Sequence, residues 1–292
     1  MLLKKYLHKG ISVTPPPTDG TYGYYKTGTS GTNSTTRYTF ADNTIATGPN
    51  LTQSAPRVGA SNTIMGIFLV SGSVAASGKL VFSSLVASNT ASLGLTTGTG
   101  GTGFGNSTLG LFGASSGSGN AITAKYTYAG DVIAPGSLLT TNINSGTSCG
   151  DANRNLVVFG GAGGNTTTEN YYYADDSVAP ATALVNASFN GASCSNSTKG
   201  IILVGGVAAT KTTNSYTWAS ETVAPATSML TVNGNSLKAA GNGTVGVFSM
   251  TTVGDVNVYN YSANTTAAST LFNSINTAAP AAVSNGISGV NT

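Results

Sequence analysis

Three acidic side chains, Asp131, Asp176 and Glu221, follow one another at forty-five-residue intervals, each closing a six-residue block: YTYAGD, YYYADD and YTWASE. Carboxylates are the obvious candidates for general acid–base work, which needs two of them at one reacting centre. Regular spacing points elsewhere, because Asp42 and Asn264 fill the same place in two further blocks. An acidic or amide residue just past a strand accepts backbone N–H groups in a turn, and we expect that role for all five. Of the nine acidic residues this leaves few for a catalytic pair, and no Asp-x-Asp-x-Asp calcium loop is present. Cys149 and Cys194 show no CxxC motif and no metal-ligand spacing. His8, the single histidine, stands near the N-terminus, which removes histidine-based triads and imidazole metal sites from the rest of the chain. GTGGTGFG at 98–105 contains a nominal GxGxxG, but no helix follows it, so it reads as a flexible inter-strand loop and not as a dinucleotide site. Asparagines of the N-x-[ST] type, such as Asn106, Asn196 and Asn242, are expected by chance in so Asn-, Ser- and Thr-rich a chain.

The elements that must position these residues follow from composition and period. Charged residues make up 7% of the 292-residue chain, against about 25% in ordinary soluble domains. Hydrophobic residues reach 40%, with 13 Tyr and 9 Phe, so the chain is expected to fold. A net charge of +3 is too small and scattered for nucleic-acid binding. The N-terminus lacks the apolar run of a secretory signal, and IMGIFLV at 64–70 is far below the ~18–20 residues of a membrane span.

Six related aromatic stretches begin at 38, 80, 126, 171, 216 and 259, with spacings of 42, 46, 45, 45 and 43. A period in the forties marks a repeat architecture, and no 3.6-residue apolar stripe supports a helical one. An apolar run precedes each of five aromatic stretches: MGIFLVSG, LGLFGASSG, NLVVFGGAGG, KGIILVGG and VGVFSMTT. Each ends in small residues and reads as a buried strand feeding a turn. The aromatic strand follows, then a segment such as VAPAT, whose proline suits an edge strand. A polar Gly- and Asn-containing stretch completes about four strands per repeat. The predicted fold is therefore all-β: a six-bladed β-propeller of four-stranded antiparallel blades. AAPAAVSNGISGVNT at the C-terminus matches the polar strand missing before YGYYK, so strands from both termini are expected to close the ring. The repeat-equivalent set Ala60, Cys149, Cys194 and Ala240 is then a small buried site near the axis. A disulfide between Cys149 and Cys194 is the alternative, under demanding geometry.

The order of apolar strand, glycine pair, variable loop and aromatic strand resembles the kelch propeller repeat, most clearly in GIILVGG followed by NSYTWASETVAP. The glycine pair is intact at Gly160-Gly161 and Gly205-Gly206, and the kelch tryptophan position is not consistently filled. The resemblance implies a propeller over residues 20–292. Kelch-like copper oxidases would need histidine ligands that this ring does not have. Arg37, Arg57 and Arg154 invite comparison with the carboxylate grip of sialidase propellers, but the Asp-box those enzymes carry is absent. No cofactor and no metal is expected. Residues 1–19 stand outside the repeats as an extended arm. Leu2, Leu3, Lys4, Lys5, Tyr6 and Leu7 are the candidate partner anchor, followed by the stiff PPP at 15–17. A low-charge propeller with a docking arm is similar in style to bacteriophage tail, baseplate or fibre proteins. The expected function is non-enzymatic: a virion component, assembled in the host cytoplasm and exposed extracellularly, with the arm binding other virion proteins. The alternative is a glycan-binding propeller or adhesin touching host-surface glycans, with Tyr172 as the candidate stacking residue.

Overall fold

The computed structural model describes residues 20–26, 33–53, 56–70, 77–92, 95, 101–113, 122–143, 145–160, 164–188, 191–205, 211–230, 237–249, 255–269 and 282–284. These form 24 strands in six four-stranded antiparallel sheets and no helix, as the period predicted. Numbered from the axis outward, blade 5 is typical: β16 (Ala192–Ser195), β17 (Lys199–Leu203), β18 (Thr213–Thr217) and β19 (Thr222–Ala226). Blades 2, 3, 4 and 6 repeat this order from inner strands beginning at Pro56, Thr102, Thr147 and Lys238. Blade 1 is assembled from both ends of the chain. Its inner strand β24 (Ala282–Ser284) pairs antiparallel with β1 (Tyr22–Lys26) through Gly23↔Ser284, Tyr24↔Val283 and Tyr25↔Ala282. The closure read from the terminal sequences is the one observed.

Apolar second strands and aromatic third strands bury their side chains against neighbouring blades, so the core lies in the seams. Between blades 2 and 3, Val58, Ala60, Ile67 and Leu69 pack with Phe112, Tyr126 and Tyr128. Between blades 4 and 5, Cys149, Leu156 and Val158 pack with Ile202, Tyr216 and Trp218. Within each aromatic pair the rings meet edge-on or tilted, at 5.0 Å for Tyr216 and Trp218 and 5.9 Å for Tyr259 and Tyr261.

Blades are wedged close at a glycine in the second strand. A Cβ on Gly110 would stand 3.3 Å from the Cβ of Ala60, and one on Gly200 would be 2.6 Å from the Cys149 sulfur. Gly246 meets Cys194 in the same way. The Ala-or-Cys position is therefore the small inner-strand residue that seats on the glycine of the following blade. Both cysteines are buried and free.

GTGGTGFG departs from its predicted loop. Thr102–Gly105 form the inner strand of blade 3, because six inner strands converge on the axis and little room exists for side chains. A Cβ on Gly103 would stand 2.5 Å from Val58 Cγ1.

All hairpins between strands one and two, and between three and four, fall on one face, the turn face. The opposite strand ends, from which the longer connections leave, define the other face, the loop face. The anchor residues Leu2, Leu3, Lys4, Lys5, Tyr6 and Leu7 lie outside the described residues.

Candidate functional site

On the turn face the acidic residues are displayed together, and their geometry decides between chemistry and architecture. The last residue before the outer strand adopts the left-handed conformation in every blade: Asn43 (φ 56), Leu85 (φ 55), Asp131 (φ 53), Asp176 (φ 60), Glu221 (φ 53) and Asn264 (φ 53). Asn and Asp enter this region most readily among residues with a side chain. The true member in the first block is thus Asn43, one residue beyond the expected Asp42. Asp42 instead caps the turn from outside, accepting from the Thr44 backbone N–H at 3.1 Å and its hydroxyl at 2.7 Å. Asp175 does the same for Ser177. These bonds hold both carboxyls below the ordinary carboxylate pKa.

The left-handed residues themselves do not cap the turn. In four of the six the side chain folds back to the buried tyrosine five residues earlier: Tyr38 donates to Asn43 at 2.7 Å, and Tyr126, Tyr171 and Tyr259 donate to Asp131, Asp176 and Asn264. The same carboxylates receive cations from the preceding blade. Lys79 reaches Asp131 at 2.7 Å and Lys125 reaches Asp176 at 2.6 Å. Burial works to raise the Asp131 pKa, but hydrogen bonds from Lys79 and Tyr126 outweigh it and hold the carboxyl low. Asp131, Asp176 and Glu221 are therefore seam residues, each satisfied across a blade boundary.

A second ring of contacts lies beside them, in the turn between the inner and second strands. Asn106 Oδ1 accepts from the backbone of Thr108 and Leu109 at 2.9 and 2.8 Å and from the Thr108 hydroxyl at 3.0 Å, while its Nδ2 donates to Ala152 C=O of the next blade at 3.0 Å. Asn62, Asn196 and Asn242 make the same clasp to Ser107, Gly243 and Gly20. At Asn106 and Asn196 the N-x-[ST] spacing, expected as chance, has a local use: the hydroxyl two residues on bonds the same oxygen. Recurrence of the asparagine at the repeat period was the signal that sequence reasoning passed over.

Blade 4 breaks the series with Asp151, which accepts from Asn153 and Arg154 N–H at 2.8 and 2.9 Å but has no amide to give. Arg154 bridges the seam in its place. Its guanidinium pairs with Glu221, approaches Trp218 C=O at 3.4 Å and lies 3.9 Å from Asp151. The same guanidinium stands over the Tyr172 ring, 5.5 Å from its centroid. The candidate stacking residue Tyr172 is half-buried, with a cation across one ring face. Arg37 covers Tyr22 at 4.6 Å, so Arg37 and Arg154 are engaged with different blades. Arg57 stands in the inner strand of blade 2.

Along the axis the inner strands leave a cavity of about 60 Å³, lined by Gly59, Gly103, Ser148, Ser193, Ala239 and Ala282 among others. It holds room for about two waters. Burial raises the Cys194 thiol to about 12 and pushes Cys149 higher still, so neither is a nucleophile at neutral pH. At the loop-face end, Lys238 is buried and donates to Lys26 C=O at 2.6 Å, across the seam between the last and first blades. Burial, with the Lys26 charge adding, lowers its pKa to about 7. Among the described residues no three His, Cys, Asp or Glu side chains group as metal ligands.

No protein-family model and no curated protein matches this sequence. The architecture is widely shared. The crystal structure of TolB from Acinetobacter baumannii superposes with a TM-score of 0.61 over 91% of this chain and 67% of that one, at 11% identity. This chain is a six-bladed β-propeller. At that identity the likeness is one of fold.

Proposed function

We infer that the chain is a non-enzymatic interaction protein built on kelch-like repeats, and that it serves as a bacteriophage virion component such as a tail, baseplate, fibre or decoration protein. The observation that carries the reading is the use made of the ionisable side chains: Lys79, Asp131, Lys125, Asp176, Arg154 and Glu221 join blade to blade. A ring that commits these six charges to its own seams, in a chain with only 7% charged residues, is a rigid platform with a sparsely charged surface, suited to an exposed particle component. In this reading residues 1–19 bind other virion proteins and the propeller meets its partner outside the cell. Mass spectrometry of particles purified from the source culture tests it. The chain is expected among the stoichiometric virion proteins, and its absence from particles would sink the proposal. Removal of residues 1–19 is expected to leave a folded ring that no longer assembles.

A glycan-binding propeller or adhesin is the second reading. Tyr172, with Arg154 over one face, would be its stacking platform. A glycan array probed with the intact chain decides it, with loss of any signal in Tyr172→Ala as the expected result.

A further inference from the structure

The six outer strands differ as edges. In blades 1, 2, 4 and 6, backbone bonds run from Gly48 to Thr35, Thr90 to Ser77, Ala181 to Thr168 and Ser269 to Val256, at 2.9–3.0 Å. Bonded and unbonded pairs alternate along an antiparallel ladder. The residue before each donor therefore turns its backbone polar groups away from the blade: Thr47, Asn89 and Ala268 an N–H and a C=O, Pro180 a C=O alone. The shared register puts Pro135, opposite Ala124, and Pro225, opposite Asn214, in the same place in blades 3 and 5. Proline there removes an outward donor and obstructs an incoming strand. Blades 3, 4 and 5 are protected in this way, whereas blades 6, 1 and 2, which adjoin around the ring, are not. Their outer strands are TTAA, TIAT and VASN, with neither proline nor charge, the usual guards of an open edge.

Blade 2 adds an apolar surround. Leu85 and Val86, at the start of its outer strand, are 40% and 56% exposed, and Ile64 is 57% exposed. Ile64 lies beside that hairpin, because its carbonyl accepts the Phe82 N–H at 2.9 Å.

We propose that the outer edge of blade 2, Val86–Asn89, is a self-association surface on which a second copy of this chain pairs as an antiparallel strand. Antiparallel pairing of one edge with itself has two-fold symmetry, the commonest arrangement of oligomers. An uncharged edge meets its own copy without like-charge repulsion. The Leu85, Val86 and Ile64 side chains of the two copies then supply apolar contact flanking the strands, beyond what four residues of ladder provide.

The test is the solution mass of the full chain by light scattering over a concentration series. The wild type is expected to approach twice the 29.0 kDa chain mass. Asn89→Pro installs the residue that the sister blades carry at this register, so the ring is expected to keep its circular dichroism spectrum and melting temperature while the mass falls to that of the monomer. Thr47→Pro and Ala268→Pro, on the other open edges, are expected to remain dimeric. A wild type that is monomeric throughout overturns the proposal, as does a folded Asn89→Pro that dimerises like the parent. Loss of the dimer in Thr47→Pro or Ala268→Pro would overturn the assignment to blade 2.

Discussion

Asn106 shows how much of this ring rests on single polar side chains. Its carbonyl oxygen organises one turn and its amide nitrogen ties that turn to the next blade. The two functions separate by substitution. Asn106→Asp keeps the acceptor and loses the inter-blade donor, which is expected to cost about 1 kcal/mol. Asn106→Ala also strands the Thr108 and Leu109 N–H groups and is expected to cost about 2–3 kcal/mol. Urea unfolding of the two variants checks the order; equal losses would mean that the clasp across the seam contributes nothing. The cysteines make a different residue-scale prediction. Both are buried, and burial raises both thiol pKa values. Neither is expected to react with a thiol-specific reagent in the native protein, and both are expected to react once it is unfolded in urea. Fast labelling of the native chain would contradict the assigned packing.

At the scale of strands and hairpins, the glycine of the second strand and the small residue of the preceding inner strand act as one contact. A Cβ on Gly200 would stand 2.6 Å from the Cys149 sulfur, so Gly200→Ala is expected to destabilise by about 1–3 kcal/mol through overpacking. Cys149→Ala removes the nearest obstructing atom and leaves Trp218 ring carbons at 3.1 and 3.3 Å. The double variant is therefore expected to recover part of that loss, while additive losses in the cycle would separate the two positions. This pairing was half legible in the sequence. Alanine and cysteine recur at one repeat position and glycine at another, but nothing in a linear pattern says that they touch across a boundary between blades. The strands themselves were legible, because apolar runs, aromatic alternation and proline each follow from a local constraint. In the first block acidity points to Asp42, which does accept a backbone N–H of the turn as expected, but the repeat position itself belongs to Asn43, which takes the left-handed backbone and accepts from the Tyr38 hydroxyl. The roles of Asp131, Asp176 and Glu221 were not legible. Their partners Lys79, Lys125 and Arg154 lie 52, 51 and 67 residues away, and only the ring brings them together.

For the whole molecule, closure is the step that the chain cannot make by continuity, and Lys238 lies at that join. Its amine is buried and donates to Lys26 C=O of β1; burial, with the Lys26 charge adding, lowers its pKa to about 7. In the unfolded chain a lysine keeps its proton up to about 10.4. Between these values the unfolded state binds more protons, so stability rises with pH; below about 7 both states are protonated and the cost is carried in full. Lys26, whose pKa burial also lowers, adds in the same direction. At higher pH the sign reverses. The thiols and buried tyrosines such as Tyr24 and Tyr259, raised to about 12 by burial, hold protons that the unfolded chain releases. Stability is thus expected to climb by about 1 kcal/mol from pH 7 to 8, to level off as the thiols of the unfolded chain ionise near about 8.5, and to fall beyond about pH 10. Lys238→Met, close in length and without charge, is expected to be more stable than the parent at pH 6 and to lose most of the climb. Urea midpoints for both proteins at half-unit steps from pH 6 to 10 measure this directly. A variant with the parent's slope would show that the amine at the join titrates as an ordinary lysine, and that closure does not depend on its proton.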